Sequence, residues 1–261
     1  MKAAELPPMS ASFRDRLLRG ERLIGTLISL SSPQLVEIAS AAGFDWLFLD
    51  MEHGGLEPGD VAGLVRAAQE PCACLVRVPE NREMWIKKAL DSGAEGVIIP
   101  HVNSAAEAAQ AVRWAKYPPQ GDRSVGFTRA NLYGARFDRH VETANAETVV
   151  VAQVEHIDGV RAISGILGVD GIDAVFIGPY DLSASLGKPG RILDADVREA
   201  IAMVSAACLS AKVPAGIFAA GLPASARAVE EGYTLVCSGI DVGLYSEAAA
   251  AVLRRLKPRN P

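Results

Sequence analysis

Short apolar, β-prone runs recur along the chain at residues 24–30, 46–50, 74–78, 96–100, 148–155, 174–178, 215–219 and 235–239. They show little hydrophobic–polar alternation, which is the pattern of strands buried on both faces. The stretches between most of them carry helical patterns, and strand–helix alternation of this kind predicts parallel βαβ units. Helix punctuation is clear at several points. Ser32-Pro33 before LVEIASAA and Gly43 reads as N-cap, first-turn proline and glycine stop. Ser104-Ala-Ala-Glu107 reads as a capping box, and that helix must end near Tyr117, before Pro118-Pro119. Asp194 opens an amphipathic run to about Lys212, and Ser246 is read as the cap of a last helix ending near Lys257-Pro258. Residues 118–147 interrupt the rhythm as a long excursion, a length that in a compact domain signals a functional or inter-subunit segment. Eight strands favour an α/β (β/α)8 TIM barrel, a single domain over 1–261, with chemistry at the C-terminal strand ends.

Composition fits one large domain: 261 residues, 49% hydrophobic. With 26 basic against 31 acidic residues and a net charge of −5, there is no basic footprint for nucleic acid. The opening MKAAELPPMSASFRDRLLRG lacks the apolar core of a signal peptide, and no apolar run reaches the roughly 18 residues of a membrane span. Cys72, Cys74, Cys208 and Cys237 form no disulfide or metal-binding spacing; they read as reduced core residues of a cytoplasmic protein.

The strand ends carry the candidate chemistry. Glu155 and Asp181 lie 26 residues apart, about one β/α unit, so adjacent strand ends would hold both. Two hard carboxylates suit Mg²⁺ or Mn²⁺; the alternative is a helix cap or salt-bridge role for each. Gln153 shares the face of Glu155 and either meets ligand or supports Glu155. His53 is one of four histidines, and imidazole titrates near neutrality. Asp50, three residues earlier, is close enough to orient its ring as an acid/base, though His53 also reads as a turn residue beside Gly54-Gly55. Glu52 is expected on the opposite side, in a structural role. Arg77 is a charge in an apolar strand and needs an anion, either a protein carboxylate or a substrate. There is no GxGxxG after a strand and no Walker A motif, and the Gly239–Gly243 stretch is only a weak phosphate signal. No lysine falls at a C-terminal strand end, which argues against Schiff-base chemistry.

Taken in order, FDWLFLDMEHG, LVRVP, KKALDSGAEGVIIPHVNSAAEAAQAV, KYPPQGDRSVG, VAQVE and GVDGIDAVFIGPYDLSASLG resemble the class II pyruvate-dependent aldolases of the 4-hydroxy-2-oxoheptanedioate and 2-dehydro-3-deoxyglucarate aldolase type. The likeness runs from about residue 23 to 243. It implies Glu155 and Asp181 as ligands of Mg²⁺, Mn²⁺ or Co²⁺, and His53 with Asp50 as acid/base. It also implies Arg77 at the keto oxygen and enolate, Gln153 at the keto acid, and the backbone of Pro179-Tyr180 at its carboxylate. A homohexamer, built as a trimer of dimers with a protruding, exchanged C-terminal helix, is implied too. The chain departs from the family at Tyr180, His156 and Phe127-Thr128-Arg129, which bears on the aldehyde half of the substrate.

The expected reaction is cleavage of a 4-hydroxy-2-oxo acid to pyruvate and an aldehyde. The rivals are a related lyase or decarboxylase acting on oxaloacetate or a citrate-like or acyl-CoA substrate, and a non-catalytic keto-acid-binding barrel. The last would have no use for His53.

Overall fold

In the computed structural model, which describes residues 11–257, the predicted runs form eight parallel strands. They are β1 Leu23–Ile28, β2 Trp46–Asp50, β3 Ala73–Arg77, β4 Gly96–Ile99, β5 Val149–Val154, β6 Ala174–Ile177, β7 Ala215–Ala219 and β8 Leu235–Ile240. Each pairs with its sequence neighbours, and β8 closes on β1 to complete a (β/α)8 barrel.

Alternate residues of each strand fill the barrel, and the others pack outward against the helices. The interior of β2 is Trp46 and Phe48, that of β3 Ala73 and Leu75, that of β5 Val149 and Val151, and that of β6 Ala174 and Phe176. Trp46, Phe48 and Phe176 form an aromatic layer with ring centroids 5.5–6.2 Å apart. Gly25 makes room for it, since a Cβ there would lie 2.5 Å from the Trp46 ring. One strand period above this layer, the inward positions turn polar: Asp50, Arg77 and Gln153 follow Phe48, Leu75 and Val151. The register sets Asp50 directly opposite Arg77.

The helix ends depart from expectation in instructive ways. Pro33–Ala42 starts and stops as read, with Gly43 left-handed at φ 93°, but Ser32 makes no side-chain cap. Ser104 Oγ accepts from Glu107 N–H, whereas the Glu107 carboxylate turns to Asn103 N–H, so only half of the predicted box forms. Asp194 and Lys212 flank Ala195–Ala211 as predicted. Ser246 is not a cap. The last helix, Asp241–Leu256, springs straight from β8 and Ser246 lies inside it; Pro258 lies outside the described residues. The 118–147 excursion runs irregularly into a kinked 3-10 turn at Arg129–Gly134 and then a helix at Phe137–Glu147. All four cysteines are free and buried, and no described helix is long and apolar enough to cross a membrane.

Candidate active site

The polar layer opens into a cavity of about 270 Å³ at the C-terminal end of the barrel. Its floor and one wall are apolar, from Leu27, Phe48, Phe176 and Phe218, while Asp50, His53, Arg77, Gln153 and Asp181 supply the polar atoms. Tyr180 stands edge-on to Phe218 at 6.1 Å and narrows the outer mouth. His156, the other departure noted near the site, caps Ile157–Arg161 through its ring nitrogen.

Arg77 is fixed by a bidentate pair with Asp50, at 2.9 Å from Nε to Oδ1 and 2.7 Å from Nη2 to Oδ2. Its guanidinium also lies 5.1 Å above the Phe48 ring. Burial works against the guanidinium charge, but the hydrogen bonds to Asp50 together with the nearby charges of Asp50, Glu52 and Glu155 more than offset it and hold the pKa above the ordinary value. Asp50 Oδ1 further accepts from the backbone N–H groups of Glu52 and His53. The expected Asp50–His53 ring pair therefore does not form: Asp50 orients Arg77 and the turn backbone. The imidazole instead reaches outward, with Nε2 3.9 Å from Asp181 Oδ2, and both side chains are exposed.

Glu52 was expected on the far side. It is one strand period beyond Asp50, so it falls on the same side, with Oε2 3.1 Å from Arg77 Nη1 but outside hydrogen-bond geometry. Burial, opposed by Arg77, pushes its carboxyl above the usual range. Glu155 is 1% exposed. Its Oε1 accepts from the His101 N–H at 2.9 Å and its Oε2 from the Gln153 amide. It fits only because residue 178 is glycine, since a Cβ there would stand 2.7 Å from Oε2.

These residues suit a divalent cation. Asp50 and Glu155 are buried carboxylates, with the half-buried Glu52 beside them, against the single guanidinium of Arg77, an imbalance that burial penalises unless a cation offsets it. Gln153 Oε1 and Glu52 Oε2 are buried oxygens with no hydrogen-bond partner, and hard oxygen donors match Mg²⁺ or Mn²⁺. Glu155 and Asp181 do stand at adjacent strand ends, but the Asp181 carboxylate sits at the outer rim beside His53. Among the described residues, the donor group that closes to within 4.8 Å is Glu52, His101 and Glu155. The sequence suggests a structural role for Glu52 on the opposite side and does not single out His101. The signal for His101 was available: it follows β4 at the same kind of strand end that drew attention to the other residues.

Two alternatives are answered by geometry. Lys116 is a buried lysine with its pKa lowered to about 8 by desolvation. Its Nζ is tied to the carbonyls of Asn145 and Thr148, at the opposite end of β5 from Glu155, and no described lysine lines the cavity. The weak phosphate signal after β8 is taken by the protein itself: Asp241 accepts from the N–H groups of Ser29 and Leu30 and from the Ser29 hydroxyl.

Comparison with known proteins agrees with this architecture. The family model for HpcH/HpaI aldolase/citrate lyase matches residues 23–248. A hydroxypyruvate/pyruvate aldolase of Paraburkholderia phytofirmans is 36% identical over 94% of this chain and 96% of its own. A 4-hydroxy-2-oxovalerate aldolase of Novosphingobium aromaticivorans is 36% identical over 95% of each. The crystal structure of a family protein from Burkholderia cenocepacia superposes with a TM-score of 0.91 at 39% identity, covering 94% of this chain and 98% of that one. With the match spanning all eight strands and the helices between them, the chain belongs to the HpcH/HpaI aldolase/citrate lyase family.

Proposed function

We propose that the whole chain, 1–261, acts as one metal-dependent aldolase domain that reversibly cleaves a 4-hydroxy-2-oxo acid to pyruvate and an aldehyde. The observation that carries this reading is the fixed Arg77 facing buried, under-compensated carboxylates across one small cavity. The names of the relatives, hydroxypyruvate/pyruvate aldolase and 4-hydroxy-2-oxovalerate aldolase, point to the same half-substrate. Glu155 and Asp181 are the proposed ligands of Mg²⁺, Mn²⁺ or Co²⁺. A cation held there would polarise the 2-keto oxygen and offset enolate charge. Arg77, immobilised by Asp50, directs its remaining N–H groups at the same oxygen as charge develops. Gln153 positions the keto acid from the cavity wall. The backbone around Pro179-Tyr180, at the start of the helix Pro179–Ser185 and on the cavity lining, meets its carboxylate. His53, at the open rim, takes the C4 hydroxyl proton directly or through water, and Tyr180 bounds the aldehyde.

The exposed Tyr245, Val252, Leu253 and Leu256 on the protruding last helix support burial between subunits, in line with a homohexamer arranged as a trimer of dimers. The free cysteines support a reducing, cytoplasmic setting.

Activity should vanish in excess EDTA and return with Mg²⁺, Mn²⁺ or Co²⁺. Full activity in EDTA, or a pyruvate adduct trapped by borohydride, would reject the assignment. Arg77→Ala should suppress metal-dependent exchange of the pyruvate methyl protons in deuterated water, with Arg77→Lys restoring it only in part. Lysine keeps the charge but not the planar fork. Wild-type exchange in Arg77→Ala would make the residue structural only.

A further inference from the structure

The cavity lining divides by strand. Its polar side chains come from β2 and the turn after it, from β3 and β5, and from the start of the helix after β6. The consecutive strands β7, β8 and β1 contribute only Phe218, Ile240 and Leu27. The polar groups at the mouth of this arc are turned to protein partners, with Asp241 accepting from the N–H groups of Ser29 and Leu30 and from the Ser29 hydroxyl. Tyr180 stands edge-on to Phe218 and is 41% exposed, so the two rings continue the apolar wall out to the rim.

Nothing on this wall matches an anion. Among the described residues that line the cavity, Arg77 is the one permanent cation, and its nitrogens face Asp50 and Glu52. His53 stands beside Asp181, a further negative charge. A carboxylate left unpaired against apolar groups is strongly disfavoured. An alkyl or aryl group gains from the same burial, and a ring can join Tyr180 and Phe218 edge to face.

We infer that the acceptor is an uncharged aldehyde with an apolar substituent, branched alkyl or aryl, seated against Leu27, Phe218, Ile240 and Tyr180, and that carboxylated aldehydes are poor acceptors. The inference rests on the aldolase reading and names its second substrate. Arg77 and Gln153 hold the keto acid on the polar side, which leaves its C3 toward the apolar arc. In the synthetic direction the C3 electron pair forms the bond to the aldehyde carbon, the carbonyl π pair moves to oxygen, and that oxygen takes a proton from His53.

The test supplies the full chain with Mg²⁺, pyruvate and two aldehydes of matched shape, 4-methylpentanal and 4-oxobutanoate, which end in an isopropyl group and a carboxylate respectively. One methylene in an apolar pocket is worth about 10–200-fold in kcat/KM, so 4-methylpentanal should be preferred at least about tenfold. Tyr180→Arg, at the exposed rim, sets a cation beside the wall and should shrink that preference about tenfold by improving 4-oxobutanoate. A wild-type preference below about tenfold, or an unchanged ratio in Tyr180→Arg, would overturn the inference. Metal-dependent exchange of the pyruvate methyl protons, measured alongside, separates the two readings. Exchange with the wrong preference, or with no product from either aldehyde, overturns the acceptor class alone. Absence of both exchange and product overturns the aldolase reading with it.

Discussion

Glu155→Gln and Asp181→Asn are each expected to lose turnover by roughly 10³-fold, because charge stabilisation by a cation is worth several kcal/mol and each 1.4 kcal/mol is about tenfold. The two variants should differ in stability. Glu155 is buried and crowded against Glu52, whose carboxyl it helps to push up. Removing its charge relieves repulsion in the metal-free protein, so Glu155→Gln in EDTA should melt no lower than wild type. Asp181 is exposed at the rim, and its replacement should be thermally neutral. Saturating Mg²⁺ should raise the melting temperature of wild type by mass action and fail to raise that of either variant. A full Mg²⁺-induced rise in both variants would contradict the ligand assignment.

His53→Ala should slow aldol cleavage by roughly 10²–10⁴-fold, the range for a positioned acid/base. Metal affinity should hold, since the ring stands at the outer rim, 3.9 Å from Asp181. Oxaloacetate decarboxylation should suffer less, because loss of CO₂ needs no hydroxyl deprotonation. Equal slowing of both reactions, or loss of metal, would assign His53 another role. Asp50→Asn should not behave as a weaker His53→Ala. Its carboxylate holds Arg77, so the variant should follow the arginine series in the proton-exchange assay.

The barrel was legible because strands buried on both faces leave unalternating apolar runs, and β2 and β6 in particular announce themselves as WLFLD and AVFI. The 118–147 segment was not, because FDRHVETANAE carries few apolar residues and no start signal, and only Ala144 of it is buried. Ser246 misled as a cap because Asp241 starts the helix directly at the end of β8, with no intervening loop to read. Most candidate site residues could be named from strand ends alone. Their pairing could not: whether Asp50 faces His53 or Arg77 depends on the register between β2 and β3, a relation between segments 27 residues apart. The aim of His101, which stands at a strand end like the others, was hidden for a similar reason. A left-handed histidine is a property of the folded backbone that no residue type declares.

The division between strand-borne and loop-borne groups bears on how this enzyme can be re-engineered. Asp50, Arg77, Gln153 and Glu155 belong to the sheet or its immediate extension, and changing any of them disturbs a buried network. Tyr180 and His53 stand on the rim, with exposed side chains and few ties to the core. A mutational library aimed at new acceptor aldehydes can vary Tyr180 at little cost in folding, whereas its neighbour Phe218 is a β7 residue packed against the barrel interior. On the proposed reading donor scope is the harder target, because the residues assigned to it are also structural members of the barrel, and variants there will need compensating stabilisation before selection can act on their chemistry.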